Sequence, residues 1–471
     1  MKLSERFRLF FAAILFVICF APSSFSQTRK RDDSGAIARG TASSGYVKAV
    51  PVAMSRTAAI LPFSAATILE FPGADAASSR AVFAADNNGF GAQNSAQPNF
   101  VSSTSSSIGG VITGLDTVPT FAGAFFNPNP SILGSRPNGV FPFIMIGNDP
   151  RVGRTTRIHT KITAVSLTLL NADGSVLSSM PFAPFEDLTE DSPNFEEANY
   201  ASGHRIQFGD AVQRAEFFNS MDEDWHTVLG EPKIVNRVTF TIPRFVNVQF
   251  ADGSIKSVQA YYFGHAPNGD PFVELLDLLF NALNSNQAVS DIVAGNFATN
   301  AININMYPNT FLFSINNQGV PASCCVLGFH TYYYEPGATP QPRWMFNFAT
   351  WISPGLFGGG FQDVTALSHE ISETINDPFI NTIVPTWQFP NQPPTSHDCQ
   401  ANLETGDPVE VLSTATVPIT LREHREVFTY HPQTETLLQW FEMGATSDAI
   451  DGAFSFPNET ALPHSAIPCP Q

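Results

Sequence analysis

The segment LSHEISETINDP, residues 367–378, places three ionisable side chains within five residues: His369, Glu370 and Glu373. His369 and Glu373 are four residues apart, so on a helix their side chains project from neighbouring turns of one face. Zinc is readily bound by histidine nitrogen and carboxylate oxygen. The spacing therefore predicts that His369 and Glu373 bind a metal ion.

Glu370 directly follows the first predicted ligand, as does the acid/base glutamate in the HExxH motif of metalloproteases. In that motif the glutamate activates a metal-bound water molecule. Here glutamate replaces the second histidine, which gives HExxE and a more anionic site than is usual for zinc proteases. Zinc is the predicted metal, with calcium or manganese as alternatives. HExxE also occurs by chance on surface helices, and the cluster would then be structural.

The segment FQDVTALSHEISETIND predicts the helix that carries this motif. Asp363 is expected to cap its start, and Asn376-Asp377-Pro378 to end it. Its predicted apolar stripe consists of Val364, Leu367, Ile371 and Ile375. Two aromatic segments upstream, GFHTYYY and RWMFNFATWI, are predicted as strands.

The remaining pattern predicts an α+β fold, in which a β-rich N-terminal part precedes a zincin-like mixed α/β domain with the HExxE helix. Residues 116–250 are the β-rich region: apolar and polar residues alternate around the turn signals NADG and ADG. FGDAVQRAEFFNSM predicts a short helix there, and TVLGEPKIVN a connector. Residues 251–471 mix helices and strands and include a C-terminal tail, with PFVELLDLLFNALNSN predicted as a helix.

The first 26 residues are typical of a secretory signal peptide. The basic start MKLSERFR is followed by thirteen apolar residues, LFFAAILFVICFA, and then by PSSFS. Thirteen residues are too few to cross a bilayer comfortably, so we expect cleavage near Ser26 and a secreted or extracytoplasmic protein without a membrane anchor. Residues 27–115 are rich in Ser, Ala, Gly and Asn and predict a low-complexity, partly flexible arm.

The charge balance excludes some partners. Lys and Arg total 24 against 42 Asp and Glu, a net charge of −18, which argues against nucleic acid and anionic membrane surfaces. A peptide or a cell-envelope glycan is the expected substrate class.

Four cysteines remain after the predicted cleavage site: Cys324, Cys325, Cys399 and Cys469. An even number in an exported chain favours disulfides. A bond between the neighbours Cys324 and Cys325 would strain disulfide geometry. We therefore expect one of them to pair with Cys399 and the other with Cys469, in either of two arrangements.

Three segments in order carry a family resemblance. ALSHEISETINDP resembles the HELAE–T–DP helix of the EXORDIUM-like, phosphate-induced family of plant extracellular proteins and their exported bacterial relatives. CCVLGFHTYYY resembles the CGFHTY segment of that family, and NLETGDPVEV resembles its NEIGDKC segment. The resemblance covers residues 319–411 and implies an extracellular role. The site positions that it implies are His330, His369, Glu370, Glu373, Glu404 and Asp407.

The remaining site residues have alternative roles. Glu404 is the expected third metal ligand, because it is the first glutamate after the motif helix. Asp407 could orient His369 instead. His330 could be a ligand, a donor to the substrate or a packed strand histidine. Val409 stands where the family has cysteine, and the resemblance implies that Cys399 takes over that disulfide.

Two functions are compatible with these patterns. The first is a secreted metal-dependent hydrolase, a zinc peptidase with Glu370 as general base. The alternative is a non-catalytic extracellular or cell-surface binding protein, in which the metal cluster is structural or a vestige of an enzyme.

Overall fold

A computed structural model describes seventeen stretches of the chain. These are residues 46–51, 63–64, 118–126, 140–200, 205–217, 221–250, 254–316, 318–334, 342–357, 360–378, 380, 382–387, 400–407, 416–423, 426–433, 449–450 and 453–454. The predicted signal peptide, most of the predicted arm, Cys399 and Cys469 lie outside the described residues. Among the described helices, none has the length and apolar character needed to cross a membrane.

The secondary structure is a mixture of many strands and few helices, which confirms the predicted α+β class. The helices of the described residues are a 3-10 turn (Ala183–Phe185), α1 (Glu186–Glu190), α2 (Phe208–Glu216), α3 (Asp277–Ala294) and α4 (Thr365–Asn376). The strands are β1 (Tyr46–Pro51), β2 (Phe63–Ser64), β3 (Thr120–Phe126), β4 (Val140–Ile146), β5 (Thr155–Leu170), β6 (Val176–Met180), β7 (Ala198–Asn199), β8 (Arg205–Ile206), β9 (His226–Leu229), β10 (Lys233–Ile242), β11 (Phe245–Phe250), β12 (Ile255–Gln259), β13 (Tyr261–His265), β14 (Pro271–Leu276), β15 (Ala301–Pro308), β16 (Thr310–Ile315), β17 (Pro321–Val326), β18 (Gly328–Tyr334), β19 (Arg343–Trp351), β20 (Ile383–Trp387), β21 (Gln400–Asn402), β22 (Ile419–Glu423), β23 (Glu426–Tyr430), β24 (Ala449–Ile450) and β25 (Ala453–Phe454).

The largest sheet has the strand order β10-β5-β15-β19-β18, with β6 and β9 also paired to β5. Neighbouring strands from β10 to β19 are parallel, and β18 lies antiparallel to β19 at one edge. Every residue of β15 is buried, as expected for a parallel strand covered on both faces. Because β5 and β15 come from either side of residue 250, the β-rich region and the following region share this sheet.

Smaller sheets complete the core. One has the order β17-β16-β14-β13-β2, and another joins β1, β11 and β12. The hairpin predicted around NADG is confirmed by the antiparallel pair of β5 and β6.

One predicted helix begins later than expected, and one predicted connector is wrong. Leu275 and Leu276 belong to β14, and α3 begins only at Asp277. A short, continuous apolar run fits either a buried strand or a buried helix, and parallel pairing with β16 decides for the strand. The predicted connector TVLGEPKIVN contributes instead to β9 and β10, which both pair with β5.

The motif helix α4 begins and ends close to its predicted bounds and is buried along its whole length. It packs on β18, β19 and α2. Gly209 of α2 faces Ile371 and Ile375, and a Cβ atom there would make ordinary van der Waals contact with both side chains. The predicted capping role of Asp363 is wrong: the N-cap is Val364, without a side-chain cap. Asp363 instead accepts hydrogen bonds from the amides of Val364 and His431.

Cys324 and Cys325 form a disulfide with each other. The predicted bonds from this pair to Cys399 and Cys469 are therefore wrong. The peptide bond between these two residues is cis, and their Cα atoms lie 3.0 Å apart.

Candidate metal centre

The six site residues expected from the sequence lie together in one buried cluster, which we call the candidate centre. Strand β18 contributes one, helix α4 contributes three, and the loop after β21 contributes two. Each side chain is 3% exposed or less. The members are His330, His369, Glu370, Glu373, Glu404 and Asp407.

One half of the candidate centre is built around His369. Its Nε2 atom lies 3.1 Å from Glu373 Oε2 and 3.6 Å from Asp407 Oδ1. The three ligand atoms lie within 4.8 Å of one another. The helical spacing of four residues thus brings His369 and Glu373 together as predicted, and Asp407 approaches them from the loop.

The other half is built around His330. Its Nδ1 atom lies 3.4 Å from Glu373 Oε2, 3.6 Å from Glu370 Oε2 and 3.9 Å from Glu404 Oε2. Glu373 Oε2 therefore faces both histidines. Glu404 approaches His330, whereas Asp407 is the loop carboxylate that groups with His369 and Glu373.

A ring of hydrogen bonds fixes the orientation of His369. Gln433 Oε1 lies 2.9 Å from His369 Nδ1, and Gln433 Nε2 donates to the Gly406 carbonyl at 2.8 Å. The Gly406 amide donates in turn to Glu373 Oε1 at 3.1 Å. Because the Gln433 oxygen accepts, His369 Nδ1 carries hydrogen and Nε2 points at the carboxylates of Glu373 and Asp407. The position between Nε2 and Glu373 Oε2 therefore requires a cation, either a proton or a metal ion.

Two glycines allow backbone to lie directly against the motif side chains. A Cβ atom at Gly328 would lie 2.7 Å from Cγ and 2.9 Å from Cδ of Glu370. A Cβ atom at Gly406 would lie 2.7 Å from Cε1 of His369. Both positions require the absence of a side chain for this approach.

The electrostatics of the cluster couple its acids and bases. Burial acts to lower the pKa of His369, but the carboxylates of Glu373 and Glu370 outweigh burial and raise that pKa to about 9. The pKa of His330 is likewise raised well above its usual value, by Glu404, Glu370 and Glu373 against the effect of burial. Burial would raise the pKa of Glu373, but the two histidines lower it below its usual value. Burial raises the pKa of Glu370.

The donor set fits a zinc ion. Ligand atoms about 2.0–2.2 Å from a tetrahedral ion lie roughly 3.3–3.6 Å from one another. The 3.1 Å and 3.6 Å separations around His369 Nε2 are close to this spacing. Both carboxylate oxygens of Glu370 and Oε2 of Glu373 have no hydrogen-bond partner among the described residues. Buried carboxylates without donors are expected where a cation or a substrate completes the site.

Three residues that shape the candidate centre lie outside the HExxE motif and could not be identified from it. Gln433 lies far from the helix in sequence and is fully buried, and nothing in its local sequence distinguishes it. Gly328 and Gly406 each stand two residues or fewer from a predicted site residue, which is the only sequence signal that could have identified them. Comparison of the chain with protein-family models, curated proteins and solved structures found no match.

Proposed function

We propose that this chain is a secreted, zinc-dependent hydrolase that cleaves peptide bonds. The observation that carries the proposal is the orientation of His369: its Nδ1 is held by Gln433, and its Nε2 faces Glu373 and Asp407 at ligand spacing. His369 and Glu373 are the ligands expected from the sequence. The 3.6 Å separation supports Asp407 as third ligand in place of Glu404.

Zinc bound there would supply Lewis acidity and lower the pKa of water. Glu370 would then serve as the general base, since both its oxygens have no hydrogen-bond partner in the described structure. His330 Nδ1, 3.6 Å from Glu370 Oε2, holds that carboxylate in place. Gly328, which has no side chain, lies directly against the same side chain.

The surroundings of α4 support a zincin-like arrangement. The motif helix packs against a mixed sheet, and its antiparallel edge strand β18 carries His330 into the centre. The resemblance to EXORDIUM-like proteins and the signal-like residues 1–26 support action outside the cytoplasm.

The metal content of the purified mature protein tests the ligand set. We expect about one zinc per chain by elemental mass spectrometry, lost in Asp407→Asn and kept in Glu404→Gln. Glu216→Gln is the matched control, because Glu216 is equally buried and contacts Asn376 of the same helix outside the centre. If zinc is retained in Asp407→Asn but lost in Glu404→Gln, the third ligand is Glu404 and not Asp407.

Peptide cleavage tests the reaction. The wild-type protein should cleave members of a peptide library, and Glu370→Gln should keep zinc but lose activity. Turnover by zinc-loaded Glu370→Gln would exclude the proposed general base. A glycan library tested in parallel shows whether the substrate is a peptide or a cell-envelope glycan.

A structural role for the centre is the second candidate. It is favoured by the number of buried potential donors, because protein ligands fill all four positions of a structural zinc ion. In that case chelation would lower the melting temperature, and no member of either library would be cleaved. Specific cleavage that depends on Glu370 would exclude it.

A further inference from the structure

A second group of potential metal ligands lies outside the candidate centre. The carboxylate of Glu274 and the sulfur atoms of Cys324 and Cys325 lie within 4.8 Å of one another. Glu274 comes from β14 and the cysteines from β17, with β16 between these strands. The three residues therefore come together through the five-stranded sheet.

A bulge in β17 places the two sulfurs side by side. Leu312 of β16 pairs with Val326, and the next residue, Phe313, pairs with Cys324. Cys325 is the extra residue in this register. Side chains of consecutive strand residues normally point to opposite faces of the sheet. A β-bulge changes the direction of one of them, so that both can lie on the same side.

The environment of Glu274 is a second, independent indication that a cation binds here. Its side chain is 2% exposed, and Oε2 has no hydrogen-bond partner among the described residues. Burial raises the pKa of this carboxyl to about 8. A buried carboxyl without a donor is stabilised when a cation binds beside it.

We propose that reduction of the Cys324–Cys325 disulfide opens a site for a thiophilic divalent cation such as Zn2+, with the two thiolates and the Glu274 carboxylate as ligands. Thiolate sulfur and carboxylate oxygen are both established zinc ligands. The donors differ from the imidazole and carboxylate set of the candidate centre, so a soft ion such as Cd2+ should prefer the thiolate site. While the disulfide is intact, both sulfurs are occupied by each other and the site is closed.

The chemistry requires an external thiol reductant. Two electrons and two protons from a small dithiol break the sulfur–sulfur bond and give two thiols, while the reductant becomes a disulfide. Binding of one divalent cation then displaces the two thiol protons. Exchange with a small-molecule disulfide, which is itself reduced to thiols, forms the Cys324–Cys325 bond again and releases the cation.

Cadmium alone is the probe for this site. We expect the reduced full-length mature protein to bind one more Cd2+ per chain than the oxidised protein, with thiolate-to-metal charge-transfer absorbance. The additional equivalent should be absent in Cys324→Ser/Cys325→Ser. It should persist in the matched control Cys399→Ser/Cys469→Ser, which removes the same number of thiols elsewhere. Glu274→Gln should weaken it by at least about tenfold, since even outer-shell substitutions cost that much.

If a variant does not fold, the proposal can still be tested on the wild-type chain. In the reduced protein, bound Cd2+ should protect Cys324 and Cys325 from alkylation, read by mass spectrometry of the peptide that contains both. Equal Cd2+ binding by oxidised and reduced protein, or unprotected cysteines in the presence of Cd2+, would overturn the proposal. An unchanged affinity in folded Glu274→Gln would overturn the three-ligand site.

Discussion

Replacing Gln433 by leucine isolates the contribution of the hydrogen-bond ring to the candidate centre. Gln433 is fully buried, accepts from His369 Nδ1 at 2.9 Å and donates to the Gly406 carbonyl at 2.8 Å. Gln433→Leu removes both of these buried hydrogen bonds, and each loss is expected to cost about 1–3 kcal/mol. The free energy of unfolding should therefore fall by roughly 2–6 kcal/mol. Zinc affinity should fall by about 10–100-fold, because His369 loses the acceptor that orients it.

A comparison of three variants separates orientation from stability. Gln433→Glu keeps an acceptor for His369 but loses the donor to Gly406, so it should hold zinc better than Gln433→Leu. Gln207→Leu is the matched control: Gln207 is also buried, and its side chain bonds the backbone of Phe195 and Leu229 away from the centre. It should lose comparable stability without a change in zinc affinity.

The assay is competition for zinc with a chromophoric chelator, beside urea denaturation of each variant. Wild-type zinc affinity in folded Gln433→Leu would refute the reasoning, because His369 would then keep its orientation without the ring. A loss of affinity of the same size in Gln207→Leu would attribute the effect to general destabilisation.

Further predictions concern a contact, a titration and the metal itself. Gly328→Ala should destabilise by about 1–3 kcal/mol and reduce turnover while zinc is retained, because the added methyl displaces the Glu370 carboxylate; full activity with normal stability would contradict the contact. Burial raises the pKa of Glu274 from 4.5 to about 8. Between pH 4.5 and about 8, the folded state therefore keeps a proton that the unfolded state has lost. The free energy of unfolding should fall as pH rises through this window. Glu274→Gln should remove roughly 3–5 kcal/mol of that pH dependence in denaturation series, and an unaltered slope would argue against the raised pKa. Free zinc at about one hundred times its Kd should stabilise the protein by about 2.7 kcal/mol relative to chelated protein in calorimetry, and an identical Tm in both states would exclude binding to the folded chain.

The sequence could predict α4 and its reactive face because the signals are local. Helical spacing sets His369 and Glu373 on one side, and Asp377-Pro378 ends the helix. The two loop carboxylates, Glu404 and Asp407, could be expected near the helix only from their order along the chain. Which of them lies beside His369 depends on the conformation of the loop, and periodicity in the sequence does not predict that conformation.

Other features depend on partners that are distant in sequence. Leu275 and Leu276 fit a helix pattern, but pairing with β16 makes them a strand. The partner of His369 Nδ1 is Gln433, an ordinary polar residue that becomes important only because its segment lies along the first turn of α4. The Cys324–Cys325 disulfide could not be predicted from the sequence, because the usual disulfide geometry disfavours a bond between neighbouring residues.

The packing of α4 on the largest, mostly parallel sheet has a consequence for the order of folding. Ile304 of β15 pairs with Ile162 on one side and Asn347 on the other, so long loops must close before the sheet exists. Such topologies fold slowly, and the cluster on α4 is assembled only when β18 and the later loops have docked. Zinc should therefore enter at the end of folding and slow unfolding without accelerating folding. Stopped-flow refolding with and without zinc measures this directly, and a folding rate that rises with zinc would place the centre in the transition state instead.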